Sequence, residues 1–108
     1  MLMIVFSRPL WSDPVEVVIS GSDGGNTTVY SSPPPGSGPV LAFILNVLDE
    51  YDLNSTSLEP ENEVLTYQRI TETFKYAYAL RTYLGDPEFV NVADVSGVNQ
   101  LRIKKQID

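Results

Sequence analysis

Few residues in this chain could do chemistry, and their types narrow the reaction classes at once. There is no His and no Cys among the 108 residues. That removes thiol nucleophiles, disulfides, most zinc sites and the commonest general base. What remains is a set of carboxylates, Asp49, Glu50, Asp52, Glu59, Glu61 and Glu63, gathered in and around one connection. Paired carboxylates can move a proton or hold calcium. A calcium loop, however, alternates Asp or Asn about a central Gly, and that pattern is absent here. The run reads as a solvated acidic edge. The glycine-rich GSDGGN at 21–26 lacks the Lys-Ser/Thr ending of a phosphate-binding loop and opens no helix. It reads as a hairpin turn. Neither a metal site nor a cofactor site is expected.

Arg81 is the sharpest candidate. On a helical wheel it falls on the stripe made by Tyr67, Ile70, Phe74, Ala77 and Tyr78. A cation in an apolar stripe is costly unless paired. It could clamp a substrate carboxylate. The preferred reading is structural, an ion pair with a carboxylate such as Asp86 or with a group elsewhere, because a guanidinium fixes helix ends and loops through several donors. Tyr67, Tyr76, Tyr78 and Tyr83 could stack on a ligand. They fall on two faces of one helix, so packing with the hydroxyls at layer edges is expected. Asn26-Thr27-Thr28 and Asn54-Ser55-Thr56 match the N-glycosylation acceptor pattern, both in expected loops.

The elements that must position these residues follow from periodicity. In PVEVVIS, 14–20, Val15, Val17 and Ile19 alternate with Glu16, Val18 and Ser20, which predicts a strand. TTVYS, 27–31, is a second β-rich run, and the short glycine-rich link between them is a hairpin signature. SPPPGSGP, 32–39, breaks regular structure and reads as a rigid connection. A helix is predicted over 40–51, with Ser37 or Gly38 as its cap and Pro39 at its first position. Its apolar residues cover more than half the wheel, so it should be buried on most sides. A second helix is predicted over 62–84, capped by Asn62 and ended by Gly85 and Asp86-Pro87. Beside the stripe that holds Arg81, Leu65, Tyr76, Leu80 and Tyr83 form a second apolar group. Such a helix should lie between layers. A weak last helix is expected over about 95–107, with Gly97 against it.

Bulk properties exclude other classes. Fourteen acidic residues against seven basic ones give a net charge of −7. A phosphate backbone or an anionic bilayer repels such a chain, so no nucleic-acid partner is expected. The apolar start MLMIVF is too short for a membrane span, which needs about 20 residues, or for a signal peptide. One hairpin and one weak helix cannot cover one helix that is apolar over more than half its circumference and another with two apolar faces. Either more polypeptide or an oligomeric partner must complete the core. A non-catalytic helical module completed by oligomerisation is the alternative to an enzyme part.

At FKYAYALRTYLGDPEFV, 74–90, the string becomes specific. It resembles the γ-glutamyltranspeptidases, or glutathione hydrolases, in which a large-subunit helix ends in Y-A-x-R-x-x-L-G-D-P-x-F-V. PPPGSGPVLAFILNVLDEYDL, 33–53, is similar to that family's P-P-x-S-G-x and I-L-N-x-L-x-x-Y-D-L segment, and 14–31 to the strands before it. The resemblance covers about 13–95. It implies an α+β architecture, part of the αββα sandwich of an N-terminal-nucleophile hydrolase, with 1–108 as a partial large-subunit region. It implies a self-cleaving precursor. A Thr exposed at the start of the small subunit attacks the γ-glutamyl amide of glutathione and passes the acyl group to water, an amino acid or a dipeptide. The partners implied are the rest of the large subunit and the catalytic small subunit. The placement implied is extracellular or cell-surface. The family's Thr motif contains His and lies downstream, and its substrate-carboxylate Arg lies far upstream. No catalytic or substrate-binding residue is therefore assigned here, and the chain alone is expected to be inactive. On the same reading, Arg81→Ala in the full protein is expected to impair folding or self-cleavage.

Overall fold

The computed structural model describes residues 10–21 and 24–84. Two strands and two helices follow one another, β1 (Val15–Ser20), β2 (Asn26–Ser31), α1 (Gly38–Asp49) and α2 (Glu63–Arg81). The α+β reading holds, and each of these elements lies within two or three residues of its predicted bounds. The last helix, predicted over about 95–107, lies outside the described residues, as does Asp86.

β1 and β2 pair antiparallel, with Val15 opposite Ser31, Val17 opposite Val29 and Ile19 opposite Thr27. The alternation in β1 sets its faces, as the period of two requires. Val17 is buried, while Val15, Val29 and Ser31 are half-buried on the same side. Glu16, Val18, Thr28 and Tyr30 point away and are exposed. The turn between the strands contains Gly24 at φ 83°, a left-handed conformation that an L side chain rarely adopts. Asn26, placed in a loop by its sequence context, is instead the first residue of β2, because pairing with Ser20 extends the ladder to the edge of the turn.

α1 is the middle layer. It packs on the hairpin on one side and on α2 on the other. Its composition explains this. Among its residues only Leu41 is exposed, and Val40, Phe43 and Val47 are buried. With Tyr51 and Ala77 these form the core, joined at its margin by Ile44, Leu48, Leu53, Tyr76, Leu80 and Leu84. The approach to α1 is tight. A Cβ placed on Gly38 would overlap the Ser32 carbonyl oxygen, and one on Gly36 would come within 2.6 Å of Ser32 Oγ. Ser37 is the N-cap residue of α1, but its side chain makes no capping hydrogen bond, so the close approach and the proline in the first turn fix the helix start.

α2 packs differently from its apolar pattern. Its inner face is Thr66, Thr73 and Ala77, all buried, flanked by half-buried Ile70, Tyr76 and Leu80. The two threonines lie between the two apolar stripes read from the sequence. Their hydroxyls are neutralised locally. Thr73 Oγ1 donates to the Arg69 carbonyl one turn back at 2.7 Å, and Thr66 Oγ1 donates to the Ser57 carbonyl at 2.5 Å. Both side chains are thereby buried with their hydroxyls satisfied. The expected stripe that holds Arg81 is split, with Ala77 buried, Ile70 half-buried and its three aromatic residues outside. Tyr67 is 53% exposed, Phe74 43% and Tyr78 57%.

Candidate functional site

The acidic connection between the helices is built from turns. Asp52 takes a positive φ of 51°, one of the few residue types that tolerate it. Asn54 organises the next turn. Thr56 N–H and Thr56 Oγ1 both donate to Asn54 Oδ1, at 2.9 and 2.7 Å, and Asn54 N–H donates to Ser57 Oγ at 2.9 Å. This block is then fastened to the start of α2. Asn62 Nδ2 donates to the Thr56 carbonyl at 3.1 Å. Asn62 is therefore the N-cap residue by position, but its side chain reaches back to the turn and makes no hydrogen bond to the helix.

The carboxylates do not converge. Asp49 accepts a hydrogen bond from the Ser20 N–H at 3.0 Å, which ties the end of α1 to the end of β1. Glu50, Asp52, Glu59, Glu61 and Glu63 are exposed. Among the described residues no three acidic side chains are grouped to hold a metal. The acidic run is thus largely a solvent-facing edge, with Asp49 tied to β1. A cavity of about 180 Å³ opens beside Asp49, lined by Ile19, Ser20, Leu45, Leu48, Asp52 and Leu53. Its polar lining is Ser20, Asp49 and Asp52.

The cations sit on α2. Arg69 places its Cζ 4.6 Å from the centre of the Tyr51 ring, a cation–π contact that joins the end of α1 to α2. Sequence reading missed it, although the Arg and the Tyr were both visible, because the contact depends on how the two helices cross. Arg81 is exposed, with its Cζ 6.0 Å from the Tyr78 ring centre. It lies beside Tyr67, Phe74 and Tyr78, the exposed members of its stripe, whereas Ile70 and Ala77 of that stripe turn inward. Tyr76 packs on the core, whereas Tyr67, Tyr78 and Tyr83 are exposed. Lys75 Nζ lies 2.7 Å from Glu72 Oε1, an exposed i,i+3 pair of small energetic consequence.

The described residues therefore make a scaffold with tied corners and one unpartnered aromatic face. The family described as gamma-glutamyltranspeptidase matches residues 7–108. The chain belongs to that family. Scoloptoxin SSD14 of Scolopendra dehaani is 53% identical over 72 residues, 66% of this chain and 12% of that protein. Glutathione hydrolase 5 proenzyme of Homo sapiens is 45% identical over 64 residues, 58% of this chain and 11% of that protein. The glutathione hydrolase proenzyme of Escherichia coli K12 is 44% identical over 66 residues, 59% of this chain and 11% of that protein. The chain thus spans about an eighth of the length of the relatives it matches. In γ-glutamyltranspeptidase terms, the two segments whose motifs carried the resemblance are the approach to α1 and α1 itself, and the end of α2. No helix among the described residues is long and apolar enough to cross a membrane.

Proposed function

We propose that this chain is a partial large-subunit region of a γ-glutamyltranspeptidase and supplies packing layers, not the nucleophile. The single observation that carries this reading is the family match across 7–108 in a chain without His or Cys. In the full protein the chain would form part of an αββα sandwich. The remainder of the large subunit and the small subunit would cover the face formed by Tyr67, Phe74 and Tyr78. Arg81 and Asp86 are assigned structural roles there, pinning the end of α2 and the turn after it.

The reaction proposed for the full enzyme uses a Thr freed at a chain start by self-cleavage. Its Oγ attacks the γ-carbonyl of glutathione while its own α-amine takes the hydroxyl proton. The amide C–N bond breaks, the leaving cysteinylglycine amine takes a proton, and a γ-glutamyl ester remains. Water, an amino acid or a dipeptide then attacks that ester and restores the Thr hydroxyl. The chemistry is acyl transfer and calls on no metal or redox cofactor. The placement proposed with this reading is the cell surface or the outside of the cell.

The test is direct. Full-length protein incubated with glutathione should release glutamate and cysteinylglycine, and residues 1–108 expressed alone should release neither. Absence of both products with folded full-length protein would overturn the reading. It would favour an interaction module whose exposed α2 face is covered by a second copy.

A further inference from the structure

The outer side of α2 carries a pattern that its contact with α1 does not use. Val64, Tyr67, Thr71, Phe74, Tyr78 and Arg81 recur at alternating steps of three and four residues, and all six are exposed. That alternation is the seam a helix presents to a second helix lying nearly along it, at a crossing angle of about 20°. The buried inner face of Thr66, Thr73 and Ala77 is separate from it.

We propose that the occupant of this seam is the chain's own C-terminal segment, residues 94–108, docked as a helix antiparallel to α2. The segment lies outside the described residues, and its fit is read from its sequence. Asp94, Val98, Leu101, Lys105 and Asp108 repeat the alternation of four and three. Asp94 and Asp108 are fourteen positions apart, as are Tyr67 and Arg81. Laid antiparallel, Asp94 comes opposite Arg81, Val98 opposite Tyr78, Leu101 opposite Phe74 and Lys105 opposite Thr71. An acid then faces a base at one end, and two aliphatic residues face two aromatic ones in the middle.

The charges select this orientation. Three of the chain's seven basic residues, Arg102, Lys104 and Lys105, fall within four positions. The antiparallel arrangement carries them toward Glu63 and the acidic connection before it. A parallel one would set them beside Arg81, and Asp94 beside Glu63. Charges flanking an apolar seam fix partner orientation in this way. The twelve-residue link, 82–93, reaches about 40 Å when extended, and packed helix axes lie only about 8–10 Å apart. Gly97 lowers the segment's own helix preference, but tertiary packing supplies most helical stability in proteins. Ile103 and Ile107 fall on the side of the segment away from α2, where a further layer can cover them. The proposal deepens the covering proposed above and rests on it: the first layer over Tyr67, Phe74 and Tyr78 belongs to this chain, and the rest of the large subunit lies outside that layer.

The experiment is site-specific photocross-linking in the full-length protein. p-Benzoylphenylalanine, an aromatic residue like the tyrosines it replaces, is placed at position 78, at position 67 or, as the control, at position 30 on the exposed side of β2. Copies with light and heavy isotopes are mixed, so that capture within one chain and capture between copies differ in mass. The expected result is capture within one chain, at 95–101 from position 78 and at 104–108 from position 67, with neither segment captured from position 30. Val98→Asp should abolish the capture from position 78. The reverse order of capture, capture by another part of the same protein, no capture in folded protein, or a yield unchanged by Val98→Asp overturns this proposal and leaves the large-subunit reading standing. Capture between copies overturns both and favours a module closed by a second copy.

Discussion

Gly38→Ala is expected to be among the most damaging small substitutions in this chain. Two effects oppose each other. Alanine in a helix is favoured over glycine by about 1 kcal/mol. Against that, its Cβ would overlap the backbone carbonyl of Ser32, which is not the end of a flexible side chain and cannot swing away. Overpacking of this kind costs about 1–3 kcal/mol or more, and here the obstacle is backbone, so the upper part of that range applies. The net loss should be about 2 kcal/mol, seen as a lowered urea midpoint of the full-length protein. Ser37→Ala is the control. An N-cap serine normally contributes about 1 kcal/mol, but Ser37 makes no side-chain cap bond. Its replacement should stay within about 0.5 kcal/mol of the parent.

Phe43→Ala should be the larger loss, about 3–5 kcal/mol, the range for truncating a buried Phe. Phe43 is 4% exposed and belongs to the cluster that joins α1 to Ala77 of α2. Removing it opens a void in the middle layer, which neither the hairpin nor α2 can fill without giving up its contact on α1. Pulse proteolysis of the full-length protein should show faster cleavage in this segment. Leu41→Ala, on the exposed side of the same helix, should cost well under half as much. Equal losses at the two positions would contradict the burial that places α1 between layers.

Much of this architecture is legible in the residues. The alternation of Val15, Val17 and Ile19 fixes which face of β1 turns inward, and the apolar wheel of α1 announces a helix covered on most sides. The inner face of α2 is not legible from hydrophobicity. Thr66 and Thr73 count as polar, yet each satisfies its hydroxyl on a nearby carbonyl and then packs as a small apolar group. The successive spacings from Thr66 to Thr73 and from Thr73 to Ala77, seven and four residues, are the one signal that could have marked them. Conversely, Tyr67, Phe74 and Tyr78 look like core and are exposed among the described residues. An apolar pattern states that a face needs a cover and does not state which polypeptide provides it. The same limit applies to Arg81, whose place on that stripe was readable and whose partner was not. Asp49 and Asn62 show a third kind of gap. Both were readable as an acidic edge and a cap, but their hydrogen bonds to Ser20 and Thr56 follow from how the chain returns on itself.

The central claim is that this chain is a scaffold segment of an acyl-transferring enzyme whose nucleophile lies elsewhere. Trapping the acyl-enzyme tests it most directly. Full-length protein would be given a γ-glutamyl donor without acceptor, quenched in acid, and searched by peptide mass mapping for one added γ-glutamyl group. The account predicts a single adduct on a Thr outside residues 1–108, with every peptide of this chain unmodified. An adduct on a side chain within 1–108, or folded protein that consumes the donor without forming any adduct on Thr, would contradict it.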